Sequence, residues 1–163
     1  MKSGRLLPDL LATLGHAASP EAGFARALKQ LVTISGATAG GLCFTPGRGG
    51  PLLITAGLRR GSALDTWFRA RLAEPAHGPA LRPVSDPPPG WRGRPPVLMR
   101  ASLGERGAPL GRLLLLGQAG RGGLRLGDIP QGLPRELGLA MDQVWGLRQR
   151  ALRLEVKIGR AHI

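Results

Sequence analysis

Apolar residues recur at helical spacing in four segments of the chain. Leucines on one face predict a first helix over Leu6–His16. Ser19-Pro20-Glu21 supplies an N-cap, a proline suited to the first turn and an acidic residue, so a second helix is expected to start there and to end near Gly36. A third helix is predicted from Ser62 to about residue 73, and a fourth from about residue 128 to Ile158.

Shorter apolar segments, separated by turns rich in glycine or proline, predict four strands in two hairpins. Gly40–Phe44 and Pro51–Ala56 form the first expected hairpin, and Val97–Leu103 and Leu110–Leu116 form the second. The last of these strands ends in four consecutive leucines, which are apolar at both parities. The sequence therefore predicts that both faces of the sheet are covered at this strand.

Pro75–Pro96 contains eight of the fifteen prolines in the chain. A segment of this length without periodicity predicts a long loop, which acts as a lid, serves as a binding loop or is disordered. The glycine-rich segment over residues 117–127 follows a strand of a hairpin and lacks dinucleotide-binding spacing. It is interpreted as a flexible turn.

The final helix carries aliphatic residues at alternating intervals of three and four. They occupy the a and d positions of three heptads: Leu137, Ala140, Val144, Leu147, Ala151, Leu154 and Ile158. Up to Leu147 the apolar face is wide enough to pack on the chain's own sheet, whereas beyond it only the stripe remains.

A narrow apolar stripe on a projecting helix favours a partner chain. In a parallel pair, Arg150 at a g position would face Glu155 at an e position of the partner, which is an attractive contact. The sequence therefore predicts a homodimer formed through the terminal helices. The alternative is an ordinary amphipathic helix that packs on its own sheet.

The chain has 163 residues, of which 42% are hydrophobic and 20% charged, typical of one globular domain. We expect that domain over residues 1–158 and a short tail over residues 159–163. One cysteine, Cys43, excludes a disulfide within the chain and a cysteine-rich zinc site, and the three histidines form no metal motif. A reducing compartment and no bound metal are expected, and no cofactor is assigned.

No apolar segment approaches the roughly 20 residues that a membrane-spanning helix needs. Near the N-terminus, Pro8 and Asp9 interrupt the apolar centre that a signal peptide would require. The sequence therefore predicts a cytoplasmic domain without a membrane anchor.

The formal net charge is +13, and nearly all of the excess is arginine. This charge would suit nucleic-acid binding, which is the alternative function kept here. However, the arginines are scattered, Arg59-Arg60 is their only adjacent pair, and no cluster has aromatic residues interleaved for base stacking. The pattern favours a solvated basic surface over a nucleic-acid interface.

The motifs of common catalytic sites are absent from the sequence. No phosphate-binding P-loop follows any glycine-rich segment, and no Gly-x-Ser-x-Gly motif is present. The acidic residues occur singly, without a close pair for acid–base chemistry. We therefore expect no enzymatic activity, with a nucleophilic Cys43 as the minor alternative to a small buried core residue.

The order of these elements, together with four blocks of sequence, resembles a GAF domain. The blocks are Gly36–Phe44, Leu52–Leu58, Arg106–Leu116 and Leu124–Ile129, the last leading into Leu137–Met141. The Asn-Lys-Phe-Asp-Glu signature of the cyclic-nucleotide-binding members is absent. Cys43 lies in the first predicted strand, which is not where bilin-binding members attach their chromophore.

The resemblance implies an α+β domain with a central antiparallel sheet. The N- and C-terminal helices would pack on one face, and a ligand pocket covered by the long loop would form on the other. It also implies a regulatory or sensory module of a signalling protein, such as a sensor histidine kinase, that binds an unidentified small molecule or serves as a dimerisation scaffold. Such a module would dimerise through its terminal helices and act on an output domain that this sequence does not contain.

Five residues are the candidates for binding a small molecule: Trp67, Phe68, Trp91, Met99 and Arg100. The four apolar ones would form pocket walls, as in most small-molecule sites. The alternative is that Trp67, Phe68 and Met99 are plain core residues. Arg69, Arg71 or Arg100 would supply positive charge to an anionic ligand.

Overall fold

The computed structural model describes residues 3–45, 51–74, 80–84, 86–105, 108–127 and 129–161. These residues form four helices and five strands. In chain order the elements are α1 (Ser3–His16), α2 (Pro20–Ser35), β1 (Ala39–Phe44), β2 (Leu52–Ala56), α3 (Ala63–Leu72), β3 (Ala80–Pro83), β4 (Pro96–Glu105), β5 (Ala108–Gln118) and α4 (Leu133–Ala161).

The strands form one antiparallel sheet in the order β2-β1-β5-β4-β3. Both predicted hairpins are present, and β1 joins them by pairing with β5, for example Leu42 with Leu113. The expectation that the whole of Pro75–Pro96 is loop is wrong, because β3 pairs with β4 within it. At the edge of a sheet a proline such as Pro83 is tolerated, since one side of the strand makes no ladder hydrogen bonds.

One face of the sheet is covered by α1, α2 and α4. Leu113 and Leu115 of β5 point into this layer. Phe44 of β1 lies between two helices, with its ring centroid 5.4 Å from Phe24 of α2 and 6.0 Å from Trp145 of α4, both in edge-to-face contact. This layer is the larger of the two apolar cores among the described residues.

The opposite face of the sheet is covered by α3. Leu114 and Leu116, the alternate residues of β5, pack in this second core with Leu98 of β4. The leucines of β5 are thus buried on both sides of the sheet. This confirms the prediction that both faces of the sheet are covered at this strand.

The ends of α2 follow from its capping residues. The Ser19 side chain accepts a hydrogen bond from the Ala22 N–H at 3.2 Å. Gly36 ends the helix with a φ of +75°, a left-handed conformation that glycine adopts at little cost. Both predicted caps are confirmed.

Helix α4 begins at Leu133, later than the predicted start near residue 128. Asp128, where the predicted helix begins, lies outside the described residues. A turn precedes the helix, with the Leu133 N–H donating to the Pro130 carbonyl at 3.0 Å. The helix continues to Ala161 and so extends into the predicted tail.

Helix α4 approaches β4 closely at Gly138. A Cβ atom at this position would lie 2.3 Å from the Gly104 nitrogen and 2.7 Å from the Leu103 carbonyl carbon. The pairing of β4 with β5 also shifts register between Leu103 and Gly104. Gly138 therefore allows the first half of α4 to dock directly on the backbone of the sheet.

Candidate functional site

Local polar contacts stabilise the amino end of α3. Ser62 caps the helix by accepting from the Asp65 N–H at 3.1 Å. Asp65 is buried, and its carboxylate accepts from the Gly61 N–H at 3.0 Å and pairs with Arg69 Nε at 3.0 Å. The hydrogen bond from Gly61, followed by the contacts of Arg69, lowers the pKa of Asp65 despite the opposing effect of burial. The carboxylate therefore stays ionised where the helix dipole favours negative charge.

The apolar side of α3 presents Trp67, Phe68 and Leu72 to the sheet. Phe68 is fully buried, and Trp67 is 9% exposed. A Cβ atom at Gly41 of β1 would lie 2.5 Å from the Phe68 ring, so this glycine makes room for the aromatic side chain. The predicted candidates Trp67 and Phe68 therefore lie together on this face, where they form its core.

Trp91 lies beside the same core, in the segment that joins β3 to β4. Its indole Nε1 donates to the Arg94 carbonyl at 2.7 Å, and its backbone N–H donates to the Pro88 carbonyl at 3.1 Å. The residue lines a cavity of about 210 Å³ together with Leu64 of α3. Ligand pockets usually measure about 300–1,000 Å³, so this cavity is small for a drug-sized molecule.

The structure places Met99 and Arg100 on opposite faces of the sheet. Met99 is fully buried in the core beneath α1, α2 and α4. Arg100 lies on the α3 face, where its guanidinium pairs with Glu74. Consecutive residues of a strand point to opposite faces, so the predicted set of five residues does not converge on one pocket.

Three arginines from three elements converge on the carboxyl end of α3. Arg100 of β4 pairs with Glu74, with 2.7 Å between Nη2 and Oε2. Arg71 of α3 donates to the other carboxylate oxygen, Oε1. Arg112 of β5 donates to the Ala73 carbonyl. Positive charge is favourable at the carboxyl end of a helix, where carbonyl groups lack partners.

Sequence reasoning proposed Arg71 and Arg100 as sources of positive charge but missed Arg112 and Glu74. The signal for Arg112 is its spacing along β5. It lies two and four residues before Leu114 and Leu116, so it shares the face of the strand that is turned toward α3. No comparable signal marks Glu74, which reaches Arg100 only because α3 lies across the sheet. Arg69, the third arginine proposed, instead pairs with Asp65.

Two indole or guanidinium donors on this face are buried and have no hydrogen-bond acceptor among the described residues: Trp67 Nε1 and Arg100 Nε. Arg71 also lies over the Trp67 ring, with its Cζ 5.3 Å from the ring centroid. Buried polar atoms are usually paired, so these two donors have unused capacity to bind an acceptor beside the arginine cluster.

Cys43 lies on the α3 face of the sheet as well. It is half-buried at the margin of the second core, next to Arg112 in the β1–β5 pairing. The expected small core residue is therefore only partly covered.

A larger groove lies elsewhere on the molecule, between α1 and α2. Its volume is about 710 Å³, and its lining includes His16, Arg26, Lys29 and Gln30. It is an open surface groove on the side of the molecule away from α3, and it includes none of the predicted ligand-binding residues.

The predicted seam of α4 changes environment along the helix. Leu137 is 1% exposed, and Ala140 and Val144 are half-buried against the domain. In contrast, Leu147 is 55% exposed, Leu154 is 59% exposed, and Ala151 is also exposed. The side chain of Ile158 lies outside the described part of the chain.

The described residues contain neither a cluster of metal ligands nor a membrane-spanning helix. Within these ranges, no three His, Cys, Asp or Glu side chains come close enough together to hold a metal ion. No helix in the described part is both long and apolar enough to span a bilayer.

Solved structures share this arrangement of sheet and helices over nearly the whole chain. A GAF domain from a Pseudomonas syringae pv. tomato protein described as a sensor histidine kinase is 21% identical, with a TM-score of 0.56. The match covers 95% of this chain and 93% of that one. This chain has the GAF fold. The resemblance predicted from the sequence is therefore confirmed at the level of the fold.

Two further GAF domains support the same conclusion. One, from a phosphoenolpyruvate-protein phosphotransferase of Coxiella burnetii, is 16% identical with a TM-score of 0.57, and the match covers 93% of this chain and 98% of that one. The other, the nlh2 GAF domain of A. Aeolicus in an inactive state, is 12% identical with a TM-score of 0.50, over 90% and 97% of the two chains. No protein-family model and no curated protein matches the chain.

Proposed function

We propose that this GAF-fold chain is a non-catalytic regulatory module that forms a homodimer through α4 and relays a signal along that helix to an output domain. The observation that carries the proposal is the exposure of Leu147 and Leu154, which are 55% and 59% exposed on an ordered helix. A cytoplasmic location remains part of the proposal, as predicted from the sequence.

The proposed dimer buries the second half of the seam. Ala151 lies between the two exposed leucines at the a position, and its small side chain allows two helices to approach closely. In a parallel pair, Arg150 would contact Glu155 of the other copy, and both side chains are exposed in the single chain. Helix α1 packs against α4, and its Leu11, which is 39% exposed, would extend the apolar contact.

The proposed signal path connects the two faces of the sheet. Leu114 packs against the α3 layer, and its neighbour Leu115 packs against the layer that contains α4. A displacement of one layer would therefore move β5 and displace the other layer. A ligand near Trp91 that binds one arrangement of its loop more tightly would change the population of the corresponding helix packing. The similarity to a GAF domain of a protein described as a sensor histidine kinase supports this role.

The test is analytical ultracentrifugation of the wild type beside the double variant Leu147→Asp/Leu154→Asp. We expect the wild type to sediment at twice the 17.1 kDa of one chain and the variant at 17.1 kDa. Two aspartates in the seam would each face a copy of themselves, which disfavours the pair.

A matched control carries the same two charges away from the seam. Leu152 is 38% exposed at a b position of the same helix, and Leu53 of β2 is also 38% exposed. The variant Leu53→Asp/Leu152→Asp should therefore remain a dimer. A monomeric wild type, or equal masses for the wild type and the seam variant, would contradict the proposal.

The alternative function, nucleic-acid binding, rests on the net charge of +13 and on Arg148, Arg150 and Arg153, which are all exposed along the second half of α4. It predicts that the affinity for labelled DNA or RNA falls steeply as salt rises. Under the regulatory proposal, we expect no shift of either probe beyond weak, sequence-independent binding at low salt.

A further inference from the structure

The carboxyl end of α3 gathers more positive charge than its own groups neutralise. Arg71, Arg100 and Arg112 contribute three guanidinium groups, and among the described residues Glu74 is the one carboxylate in contact with them, through Arg71 and Arg100. Arg112 satisfies the Ala73 carbonyl, which explains one of the three as a helix-end contact. The other two arginines hold one carboxylate from both sides.

The Glu74 carboxylate is held in the way that a bound anion would be. Its Oε1 accepts from Arg71 and its Oε2 pairs with Arg100 at 2.7 Å, so both oxygens are engaged. Arginine is the side chain best suited to such two-oxygen recognition of carboxylates and phosphates. Glu74 is also 36% exposed in its side chain and belongs to no helix or strand, so its side chain can swing toward solvent without breaking an element.

The arginines also retain unused hydrogen-bonding capacity. The Arg100 side chain is 25% exposed, but its Nε atom is buried and has no hydrogen-bond acceptor among the described residues. The small space that these residues enclose with Leu72 and Leu114 does not admit a water molecule while Glu74 is in place. The site is therefore closed by a carboxylate of the chain itself.

We propose that Arg71, Arg100 and Arg112 form a receptor for an external anionic group, phosphate or carboxylate, and that Glu74 is an internal competitor that occupies it in the free protein. Binding exchanges the Glu74 carboxylate for the external anion, and no covalent step is involved. This inference deepens the proposed regulatory function, because it names an anionic ligand class for the α3 face. It does not depend on dimerisation for its test.

Removal of the internal competitor provides the sharpest test. Glu74→Gln keeps the size of the side chain and removes its charge, so Arg71 and Arg100 lose the carboxylate that they share. We expect inorganic phosphate or acetate, compared with chloride at equal ionic strength, to raise the melting temperature of Glu74→Gln. At about ten times the dissociation constant the rise should be about 3 to 6 °C. In the wild type the rise should be smaller at the same concentration.

Two further variants assign the effect to the arginines. Glu74→Gln/Arg100→Gln should lose the anion-dependent rise, because it lacks one side of the receptor. Glu105→Gln removes a half-exposed carboxylate of β4 that pairs with Arg135 of α4. It changes the net charge by the same amount as Glu74→Gln and should respond like the wild type. A response to phosphate alone, or to acetate alone, would support the receptor and identify which anion it takes.

Equal rises in all four proteins would overturn the proposal, because they would reflect general screening of the +13 charge. No rise in Glu74→Gln with either anion would overturn it as well, leaving the cluster as a clamp for the end of α3. If Glu74→Gln does not fold, the comparison moves to wild type and Arg100→Gln at high phosphate. The proposal then fails unless the wild type shows the larger rise. The mass of the protein is measured separately, so failure here leaves the dimer proposal standing.

Discussion

The two halves of α4 share one spacing of aliphatic residues but lie in different surroundings. In the first half, Leu137 is 1% exposed, and Gly138 touches the backbone of β4. In the second half, Leu147 and Leu154 are more than half exposed. A heptad pattern therefore states which residues share a face of the helix, but not whether the same subunit covers that face.

The difference follows from where the sheet ends. Helix α4 has 29 residues, which at about 1.5 Å per residue spans roughly 43 Å, whereas β4 has ten residues. At about 3.4 Å per residue β4 spans roughly 34 Å, which is shorter than α4, so this strand cannot cover the whole helix. The first half thus contributes to the stability of the domain, whereas Leu147 and Leu154 in the second half are left exposed, where the proposed dimer would cover them.

The largest expected effect comes from truncating the buried half. Leu137→Ala should lower the free energy of unfolding by about 2–5 kcal/mol, because it leaves a cavity in the main core. Leu154→Ala should change it by no more than about 0.5 kcal/mol, since the side chain is exposed. Urea denaturation of both variants in the monomeric Leu147→Asp background measures the contrast. Similar losses for both would show that the second half is also covered within the subunit.

Glycine-to-alanine substitution in the buried half gives the next effect. At Gly138 the new methyl group would meet backbone atoms of β4 at 2.3 Å and 2.7 Å, so the helix must move away from the sheet. Overpacking of this kind costs about 1–3 kcal/mol, which outweighs the gain in helix propensity. Thermal unfolding followed by circular dichroism tests this expectation, and an unchanged melting temperature would contradict the close approach.

The same substitution near the midpoint of α4, where the helix leaves the domain, should have the opposite sign. A Cβ atom at Gly146 meets nothing within 4 Å. Gly146→Ala should therefore stabilise the protein by about 0.5–1 kcal/mol, because alanine loses less backbone entropy in a helix than glycine does. A loss of stability, or of the dimer in the ultracentrifuge, would place Gly146 against a neighbour.

The smallest effect is expected from the ion pair that ties α4 to β4. Arg135 contacts Glu105 at 2.8 Å and Glu136 at 3.0 Å, and the hydrogen bond that Arg135 donates to Glu105 is the main reason that its pKa is raised. All three side chains are about half exposed, so solvent screens the attraction. Arg135→Gln should lower stability slightly, and 1 M salt should remove the difference from wild type.

Most elements were predictable because local signals agreed with the final packing. The caps at Ser19, Gly36 and Ser62 mark helix ends by hydrogen bonds made within a few residues. The four leucines of β5 predicted a sheet covered on both faces, and the structure confirms this. β3 was missed because four residues with a proline give no periodicity, and only pairing with β4 makes them a strand.

The candidate site was less predictable than the fold. Trp67 and Phe68 share a face of α3, and helical spacing alone is enough to group them with Leu72. Met99 and Arg100 were grouped by proximity in sequence, although neighbours in a strand point apart. The alternation along β4 already contained the information that separates them, whereas the meeting of Arg100 with Glu74 required the position of α3.

Short-range rules, in which a residue acts on partners within one or two turns, were enough to set the helices, the hairpins and the two-sided burial of β5. The placement of α3 across the sheet, the gathering of three arginines at its end, and the point at which α4 leaves the domain were set by packing between distant segments. Such contacts depend on the lengths and crossing angles of whole elements. No local pattern of side chains encodes these contacts, because the same stripe of leucines can be buried equally well against a sheet or against another helix.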